Sequence, residues 1–429
     1  MSEIAEASCD VLIVGGGPAG STIGALLAAD GFKVALLEKD HHPRFHIGES
    51  LLPMNMALFD KLGIMDQIAA IGIPKWGIEF NAPWHEKPIE FEFANAMDKS
   101  RPSAFQVRRS VFDHVLLKNA AAKGVAVHEG VRAGEVTFPP EGGASLVASD
   151  EAGGQTRWRC KFFVDASGRD TLLAGQFAMK RSNMQHGTAA VFGHFTGARR
   201  LPGKAEGHIS IFWFEHGWIW FIPLPDGTTS IGAVCRPEYV KTRKVDVTQF
   251  LMDTFALCPQ LMDRLKDATI TGPATATGNY SYMADRMTGK DHIMVGDAFA
   301  FVDPVFSTGV YLAMNGAFRG AEVVRTAFRD PSRVGQAMAR YESETRRAIK
   351  TFSWYIYNMT RPAFQDLFMA PNNVFRIEEA MMSLLAGDVF RDTPIKTPLR
   401  LFRGLFYLKT LRYKLKGEET ARLERFKAA

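Results

Sequence analysis

Cysteine is scarce in this chain: four residues, Cys9, Cys160, Cys235 and Cys258, with no C-x-x-C pair among 429 positions. That excludes a disulfide framework and a cysteine zinc site, and it suits a reducing compartment; the expected location is the cytoplasm. Long apolar runs are also missing. The longest, Val11–Ala29, is interrupted by five glycines and a proline, so no membrane-spanning segment is expected. The residues before it include Glu3 and Glu6, where a secretory signal would open with basic residues. Repeats and low-complexity tracts are absent. Nor is positive charge spread over the body. The net charge is +5, yet residues 396–429 hold ten Lys or Arg against three Glu, which is +7 and leaves −2 for everything before them. No motif supports nucleic-acid binding.

What is present is a glycine-rich turn in a specific setting. Val11–Val14 has the length and β-branched character of a buried strand. Gly15, Gly17 and Gly20 follow with the G-x-G-x-x-G spacing. The first allows a tight turn, the second lets the backbone approach a pyrophosphate, and the third lets the next helix pack on the strand with its N-terminus toward the phosphates. Ser21–Ala29 is small and apolar, as such a helix requires, and Lys33–Leu37 reads as a second strand closing on Glu38. An acid 18 positions after Gly20 can accept from a ribose 2′-hydroxyl. Strand, turn, helix, strand and acid in sequence mark a dinucleotide site, where the glycines alone would not.

Beyond Glu38 a polar loop ends in Gly48-Glu49-Ser50. The pattern then predicts a helix over 54–69, a hairpin over 78–93, a helix opening at 106 and running to about 123, a strand over 125–127, a hairpin over 131–147 turning at 139–143, and a buried strand at 162–164. Residues 187–282 alternate in the manner of an antiparallel sheet, interrupted by a helix over 247–265. His292–Phe299 returns to a buried strand and Gly turn, and from Val310 the chain is helical, with breaks expected near Pro362, Pro371, Pro394 and Pro398. The expected fold class is α/β. A dinucleotide-binding Rossmann-like domain (1–184, resumed at 288–345) is expected to hold an inserted antiparallel-sheet substrate domain (185–287), with a helical region (346–429) following.

Several stretches carry a resemblance. Val164-Asp165-Ala166-Ser167-Gly168-Arg169 and Val295-Gly296-Asp297-Ala298 resemble strand-to-turn motifs of the flavin monooxygenase superfamily, and Arg109, four residues before Asp113, matches a cofactor-contacting arginine there. Trp218–Pro223 is similar to the W-x-W-x-I-P pattern of flavin-dependent halogenases, and Phe301–Gly309 to their F-x-x-P-x-x-S-x-G pattern. Lys75, in Pro74-Lys75-Trp76-Gly77, stands where that family carries its essential lysine, although Ile78 follows where Ala is frequent. The likeness runs from about Val11 to about Asn315.

This resemblance implies FAD bound by Gly15, Gly17, Ala19, Gly20, Glu38, Lys39, Ser50, Arg109, Asp297 and Gly309, with Asp297 on the ribityl chain. It implies chloride or bromide held by backbone N–H groups of Thr308 and Gly309, at a helix start. Trp218, Trp220 and Phe306 would line the substrate pocket. With one phosphate fingerprint and no NAD(P)H site, FADH2 would come from a separate flavin reductase. The implied reaction runs through a flavin hydroperoxide and hypohalous acid, with Lys75 guiding the oxidised halogen to an aromatic ring. The amine would serve either as a hydrogen-bond donor or, when neutral, as a haloamine; the second route needs its pKa lowered from about 10.4. Members acting on tryptophan carry Glu where this chain has Phe306, which points to phenolic or pyrrolic substrates, free or tethered to a carrier protein, and to secondary metabolism of the antibiotic-forming kind. An FAD-dependent aromatic hydroxylase is the competing reading. A polyprenyl reductase and a redox-responsive scaffold are weaker ones.

The segment 398–416 interleaves leucines and phenylalanines with Arg and Lys. It reads as a docked helix with a solvated basic face, a docking surface for an acidic carrier protein, or a peripheral membrane attachment.

Overall fold

A computed structural model describes residues 4–85, 87–183, 187–278, 281–371 and 373–417. Its first sheet carries five parallel strands in the spatial order His292–Met294, Gln155–Asp165, Ala5–Val14, Val34–Leu37, Ala126–His128. The central three present Val, Leu, Ile and Phe on both faces, as a sheet covered on both sides must. The helix Pro18–Ala29 opens with proline at its first position, where no amide is needed. It lies close against the sheet because its residues are small: a Cβ on Gly20 would sit 1.9 Å from the Gly15 carbonyl oxygen. The helix Thr308–Arg329 packs beside it. The hairpin Val131–Thr137/Ala144–Asp150 extends the sheet from Gln155–Asp165, as its turn residues predict.

The second sheet runs Thr269–Ile270, Ala189–Thr196, Thr229–Cys235, Gly217–Pro223, Ile209–Phe214, Gly77–Asn81, Ile89–Glu92. Its last two strands come from within 1–184, so the first segment contributes to both sheets. Ile209–Phe214 pairs parallel with Gly77–Asn81, which makes the sheet mixed rather than wholly antiparallel. A pairing between strands this far apart in the chain leaves no local trace. The helices Val247–Ala256 and Pro259–Arg264 cover one face and form a second core around Phe195, Phe221 and Phe255.

Several expected boundaries shift. The helix expected over 54–69 is two, Pro53–Leu62 and Met65–Ala70, divided at Gly63 with φ of +73°. The helix expected over 247–265 is divided at Cys258-Pro259. Gln106 and Val107 belong to the strand Ala104–Val107, and the helix begins at Arg109. In the C-terminal half, Pro331 starts a new turn, while Pro398 sits in the first turn of Lys396–Lys416, where proline is tolerated. The expected division at 184/185 and the basic residues beyond 417 lie outside the described residues.

Candidate active site

The glycine turn forms one wall of a cavity of about 470 Å³. Gly15 has φ of +106°, and a Cβ there would lie 2.2 Å from the Ala166 carbonyl oxygen. Two turns thus meet, the one after Ala5–Val14 and the one after Gln155–Asp165. The second is held by Asp165, fully buried, which accepts from Ser167 N (3.0 Å), Ser167 Oγ (2.6 Å) and Leu173 N (2.8 Å). Glu38 ends the second strand in the cavity wall. Its carboxylate accepts from Gly16 N at 2.6 Å and Asp40 N at 3.0 Å. Lys39 pairs with Asp170 at 2.5 Å, both residues in the wall.

Arg109, at the start of its helix, is gripped by Asp113 through Nε (2.8 Å) and Nη2 (2.9 Å), while Nη1 donates to Ile47 O at 2.9 Å. This fork holds the loop before Ser50 against the cavity. Asp297 faces the cavity from the turn after His292–Met294; seclusion from bulk water raises its carboxyl to about 6, against the pull of Arg109 and Arg169. Of the residues expected to hold the cofactor, Gly15, Gly17, Ala19, Glu38, Lys39, Ser50, Arg109, Asp297 and Gly309 line this one cavity. Gly20 does not; it serves the helix packing that shapes the turn. A cleft with a backbone cradle at a helix start, an acid at the end of the second strand and a central arginine fits FAD.

Trp218 and Trp220 alternate on Gly217–Pro223 and both enter the cavity wall. Trp220 Nε1 donates to Ser230 Oγ at 3.1 Å, and its indole occupies space that a Cβ on Gly232 would take, 2.3 Å from Cζ2. Trp218 donates to Asp303, a buried acid raised to about 6 by desolvation. Ser307 caps the helix Thr308–Arg329 in the left-handed region (φ +55°) without a side-chain cap bond, and the helix starts two residues before Val310. Ser307 and Gly309 line the cavity, whereas Thr308 is buried beside it. Phe306 is buried as well and does not line this cavity.

Lys75 is fully enclosed. Its strand, Gly72–Lys75, pairs with Ala104–Val107, and the same partner strand bridges Ser50 through Gln106. The shared partner brings the two side chains together: Lys75 Nζ donates to Ser50 Oγ at 2.9 Å and to Leu51 O at 3.1 Å, with the Phe93 ring 5.3 Å away. Lys75 itself is not part of the cavity wall, but Ser50 is. Burial alone lowers the amine to about 7.

Residues 8–352 match the family model described as an FAD binding domain. A tryptophan 2-halogenase of Chondromyces crocatus is 33% identical over 89% of this chain and 74% of its own length. The chain belongs to the flavin-dependent halogenases.

A 1H-pyrrole-2-carbonyl-(peptidyl-carrier protein) chlorinase of Pseudomonas fluorescens is 29% identical, covering 89% of each chain. The solved myxobacterial chondrochloren halogenase superposes with a TM-score of 0.78 at 30% identity, over 94% of this chain and 97% of its own. As a member of this family the protein is an FAD-dependent oxidoreductase that halogenates aromatic compounds, with halide as co-substrate and relatives in secondary metabolism. No helix among the described residues is long and apolar enough to cross a membrane.

Sequence reasoning passed over several residues of this halogenase's site. Arg44 lies 3.7 Å from Glu38 and 3.9 Å from Asp113, at the cavity. His46 is held down to about 4 by the Arg109 charge and burial, so it is neutral at pH 7. Arg169 closes a motif that was noticed for its turn, not its charge. Both Arg44 and His46 sit in the polar loop before Ser50, whose density of charge was the available signal.

Proposed function

We propose that this halogenase acts on a phenolic or pyrrolic ring, free or tethered to a carrier protein, and that Lys75 delivers the halogen. The reading rests above all on one observation: a fully buried amine 2.9 Å from Ser50 Oγ, with Ser50 in the wall of the flavin cavity. Bound FAD, reduced by a separate reductase, supplies the activation of O₂ that oxidises halide. The chain's own residues do the rest. Ser307 and the helix start at Thr308–Gly309 offer backbone N–H groups to an anion beside the cavity. Trp218 and Trp220 occupy the wall and would keep an arene out of the cavity once FAD is bound, which would favour halogenation over direct oxygen insertion.

At Lys75, an amine lowered to about 7 is substantially neutral at pH 7. A neutral amine attacks the halogen of hypohalous acid, forming an N–halogen bond as the O–halogen bond breaks, and the departing hydroxide takes an amine proton and leaves as water. The ring carbon then takes the halogen, the amine recovers a proton, and the ring proton is lost. With no carboxylate at position 306 to stabilise a poorly activated ring, electron-rich arenes are favoured. The carrier-bound pyrrole named for one relative supports that class, whereas the tryptophan enzyme among the relatives makes indole the competitor.

The test is product mass with FADH₂, O₂ and bromide offered to a phenol, a pyrrole carboxylate and tryptophan. Halogenated phenol or pyrrole is expected. Tryptophan preferred over both would overturn the substrate class, and gain of one oxygen atom in place of halogen would favour the hydroxylase.

A further inference from the structure

The helix Lys396–Lys416 has two apolar faces, and only one is used. Leu399, Phe402, Phe406, Thr410 and Tyr413 are buried, with Tyr355 OH donating to Leu399 O at 2.8 Å and the Trp354 ring edge-on to Phe406. On the far side Leu401, Leu405, Leu408, Leu411 and Leu415 are 40–80% exposed. At 3.6 residues per turn, Leu401, Leu405, Leu408 and Leu415 fall within roughly 80° of arc and span about 21 Å. Exposed leucines in single positions are ordinary; a continuous stripe along a helix marks a contact surface.

Charge decides what it contacts. The helix holds seven basic residues and no acid. Arg403 stacks over Trp354, and Lys409 lies 3.3 Å from Asp366, so both serve the docked side. Arg400, Arg412, Lys414 and Lys416 are exposed. By helical position, Arg400 flanks the stripe on one side and Lys416 on the other, with Arg412 inside it and Lys414 further round the helix. A two-fold pairing of this face with a second copy would bring Arg412 and the flanking cations against their own counterparts, with no acid on the helix to offset them. The stripe is a convex aliphatic ridge carrying no hydrogen-bonding side chain but basic ones, and a fluid lipid surface receives it without a matching groove.

We infer that the outer face of Lys396–Lys416 seats the enzyme on an anionic lipid surface, its leucines among the acyl chains and its flanking cations at the headgroup phosphates. The rest of the chain carries no net positive charge, so this helix also sets the orientation. The inference is independent of the substrate proposed above.

Full-length protein is sedimented with vesicles of phosphatidylcholine alone, and with vesicles of three parts phosphatidylcholine to one part phosphatidylglycerol, at low and high salt. Binding to the anionic vesicles alone, weakened on the order of tenfold by high salt, is expected. Leu408→Asp with Leu415→Asp should cut it about 100-fold. Flavin absorbance and thermal unfolding should stay unchanged, because both leucines are exposed. Equal binding of neutral vesicles, or of the double variant, would overturn the inference. Absence of vesicle binding would also overturn it. In that case a dimer dispersed by the double variant would assign the face to a second copy, and titration with a soluble acidic acyl carrier protein would reveal a protein partner instead.

Discussion

Two neighbouring compartments of this halogenase are built on opposite principles. The flavin cavity is open, walled by glycine backbone and by charges of both signs: Glu38, Lys39, Arg44, Arg109, Asp297. Lys75 is closed off from solvent. A lone amine sits there with two hydrogen-bond acceptors and a phenyl ring, wholly removed from water. Ser50 stands between them, a wall of one and a ligand of the other. The contrast teaches how incompatible needs are met: a cofactor that carries phosphates requires a polar cleft, whereas an amine that is to be neutral at pH 7 requires dryness. Asp297 and Lys75 show the same physics with opposite sign. Withdrawal from water raises the acid to about 6 and lowers the base to about 7.

The largest test of that contrast is Lys75→Met, which keeps the volume and removes the amine. Halogenated product should fall by about 10³-fold, on the order of 4 kcal/mol in activation free energy, while FAD binding and oxidation of FADH₂ persist. Retained halogenation would show that the dry compartment takes no part. Gly15→Ala attacks the other side. With φ at +106° and a carbonyl 2.2 Å from the new Cβ, stability should drop by about 2–3 kcal/mol and FAD affinity with it, read by thermal unfolding and fluorescence titration. An unchanged titration would mean that the turn yields.

Ser50→Ala probes the partition itself. Lys75 would lose one of two acceptors, and product should fall by about tenfold while hypohalous acid escaping to a scavenging dye increases; Ser50→Thr should restore much of the coupling. Loss of FAD binding without a change in coupling would confine Ser50 to the cofactor.

The smallest effect is in pH. Between about 7 and the ordinary lysine value the unfolded chain binds a proton that the folded chain does not, so Lys75's burial cost is full below pH 7 and fades as pH rises through that window. Lys75→Met should therefore be more stable than the parent by about 1–3 kcal/mol at pH 6, with the gap closing toward pH 10 in denaturant titrations. A gap that does not change with pH would place the amine in water. Halogenation through the neutral amine should likewise decline below pH 7 while O₂ consumption does not.

How much was legible follows from where each determinant lies. The glycines and Glu38 announced themselves because dinucleotide binding is done by short, contiguous turns at strand ends, whose spacing survives in one dimension; Arg109 and Asp297 were legible only through the family resemblance. Trp218 and Trp220 were legible for the same reason, two residues apart on one strand. Gly232 was not, since its purpose is room for Trp220 on the next strand. The burial of the Phe306 and Thr308 side chains was not legible either, because it depends on which distant segments cover the start of the helix Thr308–Arg329.

From sequence alone came the dinucleotide turn, the family resemblance and the lysine to watch, all carried by short contiguous stretches. Only the tertiary structure decided that the strands at 77–92 cross into the second sheet, that the leucines of the last helix face outward, and that Lys75 is dry and bonded to Ser50. Each of these depends on which distant segment covers a side chain, and burial, which sets both pKa and exposure, is a property of neighbours in space.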